Sequence, residues 1–333
     1  MSKPQILENF AEDVQAHSAL HAWRCVEPDY REPAGIDVLQ RRRFSAIYRI
    51  RGVRFDGGNV IAKRCRVQTA RLESLIYQKF FPLMRLPALR YYGILEEFGG
   101  DFCWLFLEDA AGTFYSPASP ELRVLAGRWL AEAHLVAPPA GLTECLPRRD
   151  LDHYLGLLRH CRDLLLHHLR SALPFEYSTV LRKITEHLDA LEQLWNAIEK
   201  ICALMPPTLV HGDFVIKNIR VRDACATLLV FDWEFAGWGL PATDLAQFVD
   251  RVASPDLDAY CSCIKQKRSH PNLRELQAVA AAGNLLRWLD QINWAISGPE
   301  FAPAGKLVKA IAMLQIYEPG LNRSLRTFCT GRP

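Results

Sequence analysis

The chain has 333 residues, half of them hydrophobic, enough to bury a substantial core and to divide into two domains. Its 40 Lys and Arg against 37 Asp and Glu leave a net charge of +3, too small to draw the whole molecule onto nucleic acid or anionic lipid, so any charge that matters is local. No run of about 18 uncharged apolar residues is present, and the opening MSKPQILENFAEDVQ carries charges where a secretory signal is apolar. The ten cysteines are scattered, with Cys261 and Cys263 as the one close pair. Reduced, mostly buried thiols in a cytoplasmic protein are expected, rather than a disulfide framework or a zinc site.

Residues 44 to 64, FSAIYRIRGVRFDGGNVIAKR, contain two β-like runs around Asp-Gly-Gly, which supplies the positive φ of a tight hairpin. RLESLIYQKFF follows with Leu72, Leu75, Ile76 and Phe80 at helical spacing. YYGILEE and FCWLFLEDA are two more strands around Phe-Gly-Gly. The first third therefore reads as a small antiparallel sheet carrying one helix. After Leu107 the composition changes: Ser119 is placed as an N-cap with Pro120 at the first helical position, and helical patterns continue over 151 to 170 and 178 to 204. In the latter, Val180, Ile184, Leu188, Leu191, Trp195, Ile198 and Cys202 form one stripe. Helices are expected again over 273 to 296 and 305 to 317. The division this implies is α+β: a small sheet-rich lobe over 1 to 107, a connector over 108 to 112, and a larger, mostly helical lobe over 113 to 333.

Within the helical part, LVHGDFVIKNIRVRDACATLLVFDWEFAG stands apart, because two β-branched runs enclose His, Asp and Asn side chains that resist burial. RVRDACATLLV has the pattern of a hairpin turning around residues 222 to 226, which brings Asn218 and Asp232 to the same end of two strands, with Asp213 in the loop before them. Acid, amide and acid suit phosphoryl transfer, a reaction that asks the protein for positioning and charge neutralisation more than for covalent help. A hard Mg²⁺ ion takes oxygen ligands and keeps sites for phosphates and water, so one carboxylate and one amide form a fitting partial cage. The other carboxylate can accept a proton from an attacking hydroxyl.

His211-Gly212-Asp213 with Asn218 resembles the H-G-D-x-x-x-x-N catalytic loop of the aminoglycoside phosphotransferase and choline kinase families, relatives of the protein kinases. Phe231-Asp232-Trp233-Glu234 is similar to their apolar-Asp-Trp-Glu motif, and Gly237, Gly239, Pro241, Asp244 and Leu245 match the trailing G-x-G-x-P-x-x-D-L. The resemblance spans about residues 40 to 250. It implies a protein-kinase-like two-lobe fold, ATP as donor with GTP as the alternative, and a small-molecule hydroxyl acceptor. Asp213 is similar to the catalytic base, Asn218 and Asp232 to the Mg²⁺ ligands, Lys63 to the lysine on the α and β phosphates, and Glu73 to its partner. Backbone groups around Glu108 to Ala110 are expected at the adenine edge, and His134 and Asp244 in structural positions. The phosphate-covering turn falls at Arg42-Arg43-Phe44-Ser45; it has no glycine, leaving Ser45 or an arginine side chain to do that work. Lys217 stands where a small residue is usual.

Each assignment has a plainer alternative. For Lys63 and Glu73 the lesser alternative is a surface ion pair; Arg41 to Arg43 read as a solvated face in preference to a nucleic-acid patch; and Trp288, Asp290, Asn293 and Trp294 read equally as packing or as an acceptor pocket. Asp250, Asp256, Asp258 and Asp290 are the acids available to a cationic acceptor. No nucleic-acid or membrane partner is expected, and a monomer or weak homodimer is. The competing reading from another class is a catalytically silent, nucleotide-binding regulatory protein; a protein kinase fits less well, since D-F-G and A-P-E elements are missing.

Overall fold

A computed structural model describes residues 7–10, 14–171, 173–222, 227–265, 271–296 and 304–331. The chain divides into two compact units, residues 1–115 with 217–236, and residues 116–216 with 237–333.

The first unit is built on a six-stranded antiparallel sheet of β1 (Glu8–Phe10), β2 (Gly35–Arg41), β3 (Ala46–Arg51), β4 (Val60–Arg66), β5 (Tyr91–Glu96) and β6 (Phe102–Glu108), in the order β1-β2-β3-β4-β6-β5. Strict alternation along β3 buries Ala46, Tyr48 and Ile50 on one face, where helix α1 (Ser18–Val26) packs Leu20 and Trp23 against Trp104 and Phe106. Neither α1 nor β2 was expected. The opposite face takes Ala70 of α2 (Val67–Leu75) against Cys65 and Cys103. That helix continues through a π turn (Ile76–Phe80) into α3 (Phe81–Met84). Both expected hairpins form: Gly57 has φ +78° with Asp56 Oδ1 accepting from the Gly58 amide at 2.9 Å, and Gly99 and Gly100 have φ +103° and +74°.

A second sheet in this unit joins β7 (Thr113–Phe114), β10 (Ile219–Arg222) and β11 (Thr227–Val230) in the order β11-β10-β7. The expected pairing of the two runs is present, with Ile219 opposite Val230; residues 223 to 226 of its turn lie outside the described residues.

The second unit is mostly helical. Its elements are α4 (Pro120–His134), β8 (Arg148–Arg149), α5 (Leu151–Leu169), α6 (Phe175–Gln193), α7 (Trp195–Cys202), β9 (Thr208–Val210), β12 (Gly237–Gly239), α8 (Leu257–Lys265), α9 (Leu273–Ile296) and α10 (Ala304–Thr330). Ser119 caps α4 as expected, its hydroxyl accepting from the Leu122 amide at 3.2 Å. The expected helix over 178 to 204 is two helices meeting at Leu194, yet the stripe from Ile184 to Cys202 stays buried across the break. The helix expected over 305 to 317 runs on through Pro319 to Thr330. Its second half is held by close packing on α9: a Cβ on Gly320 would lie 2.2 Å from Trp288 Cζ2, and Trp288 Nε1 donates to Ser324 Oγ at 3.0 Å.

The trailing glycine motif has a steric explanation. β12 lies between β8 and β9, and a Cβ on Gly239 would sit 2.1 Å from the Arg149 carbonyl oxygen. Among the described residues no helix is long and apolar enough to cross a membrane, and nine cysteines are free, five of them buried.

Candidate active site

In the first unit the ammonium of Lys63, at the centre of β4 and 6% exposed, donates to Glu73 Oε1 at 2.7 Å and to Asp232 Oδ1 at 2.5 Å, with Glu234 Oε2 at 3.6 Å. Burial by itself would lower the lysine pKa; Glu73, Asp232 and Glu234 outweigh it and hold the pKa well above the ordinary value. Glu73 is fully buried on α2, and burial pushes its carboxyl up to about 7 against the pull of Lys63. Lys63 and Glu73 form a buried pair, unlike a surface ion pair, and the partly exposed Asp232 and Glu234 complete three carboxylates around one cation.

Asp232 follows β11 in the left-handed region, φ +69°, a strained conformation for a residue with a side chain. One residue before it, the Phe231 amide donates to the Asn218 carbonyl at 3.1 Å, so the amide and the acid stand at adjacent ends of β10 and β11. Asn218 is buried. Two neighbouring oxygen donors beside a cluster with excess negative charge fit a hard divalent cation. Among the described residues no group of three or more His, Cys, Asp or Glu side chains is arranged to hold a metal.

The Arg42 to Ser45 turn joins β2 to β3, the Arg42 amide donating to the Ser45 carbonyl at 2.8 Å. The turn carries cation–π contacts: Arg43 lies 4.8 Å and Arg66 4.6 Å from the Phe44 ring centroid, and Arg66 also covers Phe102 at 4.9 Å. At the end of β6, Glu108 Oε1 and the Ala110 carbonyl both accept from Arg222 Nη2, at 3.0 and 2.9 Å. One of the backbone groups expected at the adenine edge is therefore already engaged by a side chain.

In the second unit Asp213 is 6% exposed, and its Oδ1 accepts from Arg287 Nη2 at 2.6 Å. Arg287, on α9, also donates to the Gly212 carbonyl at 3.3 Å and lies 3.9 Å from Asp250. The loop itself is suspended from Asp244, whose carboxylate accepts from the amides of His211 at 2.6 Å and Gly212 at 3.0 Å. His134 stands between Asp244 at 3.3 Å and the Tyr260 hydroxyl at 2.9 Å. His211 is buried, its Nδ1 accepting from the Asp213 amide at 3.2 Å, which makes it a brace of the loop. Lys217 is exposed.

Arg287 and Glu234 carry parts of these clusters that the motifs did not assign. Arg287 lies 74 residues beyond Asp213 with no local pattern to mark it, whereas Glu234 was visible within Asp-Trp-Glu. Of the residues weighed for an acceptor, Trp288 is buried against α10, Asp256 caps α8 by accepting from the Ala259 amide at 2.8 Å, and Trp294 is exposed. Burial pushes the Asp290 carboxyl up to about 6.

A model of the phosphotransferase enzyme family APH matches residues 54–278. No curated protein matches the sequence. Among solved structures, the chain is similar to spectinomycin phosphotransferase in complex with ADP and spectinomycin, at 7% identity and TM-score 0.60, covering 91% of this chain and 98% of that one. It is similar to the GDP and kanamycin complex of APH(2")-IIia, at 13% identity and TM-score 0.63, over 90% and 98%. It is also similar to choline kinase from Cryptosporidium parvum Iowa II, at 12% identity and TM-score 0.59, over 92% and 96%. At such identities the likeness is one of fold: a kinase-like arrangement of an antiparallel-sheet N-terminal part and a helical C-terminal part.

Proposed function

The chain belongs to the phosphotransferase enzyme family, and from that membership we propose that it is a small-molecule kinase moving the γ-phosphoryl group of ATP onto a hydroxyl of its acceptor. The observation that carries the reading is the convergence of Glu73 and Asp232, 159 positions apart by their numbers, on the single ammonium of Lys63. Lys63 neutralises the non-transferred phosphates. Asp213, its carboxylate oriented by Arg287, accepts the acceptor's proton as that oxygen attacks, and ADP leaves. Asn218 and Asp232 are the residues that would hold Mg²⁺, which supplies neutralisation of the phosphate charge when bound. GTP is the alternative donor; solved structures of similar fold carry ADP or GDP. The acceptor class of this reading is an aminoglycoside, sugar, amino-alcohol or natural product; structures of similar fold that hold spectinomycin or kanamycin, and a choline kinase among them, support it.

A second reading, a silent nucleotide-binding protein, is favoured by the glycine-free turn and by the engaged Ala110 carbonyl. One experiment separates the two: ADP release measured with ATP and MgCl₂, alone and with a panel of aminoglycosides, sugars and amino-alcohols. The kinase releases ADP in proportion to one acceptor class. A protein that binds nucleotide yet stays inert across the panel is the silent one.

A further inference from the structure

The two oxygens of the Glu73 carboxyl have different surroundings. Oε1 accepts from Lys63, whereas Oε2 is buried with no hydrogen-bond partner among the described residues. Four residues further along the same helical segment, Tyr77 is 6% exposed, and its hydroxyl is likewise buried without a partner among the described residues. The phenol ring is stacked with Phe81, at 5.3 Å and 15°, and with Tyr91, at 6.1 Å and 9°. Burial, with the nearby charges of Glu73 and Asp232, raises the phenol pKa well above its ordinary value, so the hydroxyl is a donor. A lone donor and a lone acceptor in neighbouring dry positions each destabilise the fold until they are joined. The backbone at Tyr77 is the π turn Ile76–Phe80, a geometry that frequently marks functional positions in helices.

We propose that Tyr77 is a positioning residue for the nucleotide lysine: in the nucleotide-bound state its hydroxyl donates to Glu73 Oε2 and locks Glu73 onto Lys63. The inference rests on the kinase reading above. In this structure Lys63 is held by two carboxylates, and Asp232 is the one that reading assigns to Mg²⁺. Once Asp232 turns from the ammonium, Glu73 is the remaining hydrogen-bonded anchor, Glu234 lying further off at 3.6 Å, and a donor on the second oxygen of Glu73 keeps it ionised and aimed. No covalent bond changes and the phenol keeps its proton. The bond absent from the free state and made in the bound state is the differential interaction by which a ligand can shift the equilibrium.

The test uses the full chain, ADP with MgCl₂, and calorimetric binding to the parent, Tyr77→Phe, Glu73→Gln and the double variant. Tyr77→Phe is expected to leave the melting temperature of the free protein unchanged or higher and to weaken ADP about tenfold, the scale of one hydrogen bond to a charged group. The same substitution in the Glu73→Gln background is expected to change nothing further, the coupling a double-mutant cycle isolates. Equal ADP affinity in parent and Tyr77→Phe overturns the inference and leaves the kinase reading standing. So does a fall in the melting temperature of the free variant, which would show the hydroxyl already bonded. A parent chain that binds no ADP overturns both.

Discussion

Asp213 is where sequence and structure give complementary halves of one account. Its place in His-Gly-Asp was legible because the loop signature is local, and so was the tie from Asp244, which the trailing motif implied and the two amide bonds display. Arg287 was not legible, since nothing in a helical stretch 74 residues away distinguishes an arginine that buries itself from one that faces water. The same holds for Tyr77, whose significance lies in what its hydroxyl lacks. A base test should therefore use Asp213→Asn, because alanine would strand a buried guanidinium. The Asn variant is expected to lose at least about 100-fold in turnover while ADP binding, followed by calorimetry, is retained. Glu73 makes a second prediction. Burial raises its carboxyl from 4.5 to about 7, so between those values the folded chain holds a proton that the unfolded chain has released. Its contribution to stability thus falls as pH rises through that window, and urea titrations of Glu73→Gln should show a flatter pH dependence there than the parent.

Elements were legible in proportion to how far local pattern decides them. The Gly-containing hairpins, the Ser119-Pro120 helix start and the 273 to 296 helix follow from turn chemistry, capping and period. The helix end expected before Pro319 did not occur, because packing on Trp288 outweighs the hydrogen bond that proline removes. The break at Leu194 was invisible for the opposite reason: the buried stripe continues straight through it. Packing also sorts the helical glycines. A Cβ on Gly283 of α9 would lie 1.8 Å from the Ala242 carbonyl oxygen, whereas one on Gly156 of α5 meets nothing within 4 Å. Gly283→Ala should destabilise by about 1 to 3 kcal/mol or more, and Gly156→Ala should stabilise by roughly 0.5 to 1 kcal/mol, both read from thermal unfolding.

At the scale of the molecule, a sheet-rich first part and a helical second part were legible from the change of composition after Leu107. The return of residues 217–236 to the first unit was not, since no stretch of sequence announces which core it joins. That discontinuity gives a prediction. A fragment of residues 1–115 leaves β7 without β10 and Lys63 without Asp232, so it should show no cooperative thermal transition by circular dichroism. The cysteines carry a practical consequence. Burial pushes the thiols of Cys65, Cys161 and Cys202 up to about 12 and that of Cys103 to about 11, which leaves little thiolate near neutrality. Cys25, Cys145 and Cys329 are exposed. Maleimide reagents should find these three handles ahead of the four shielded thiols, so a fluorophore can be attached outside the core, and any later uptake of label by the interior becomes a clock for local opening.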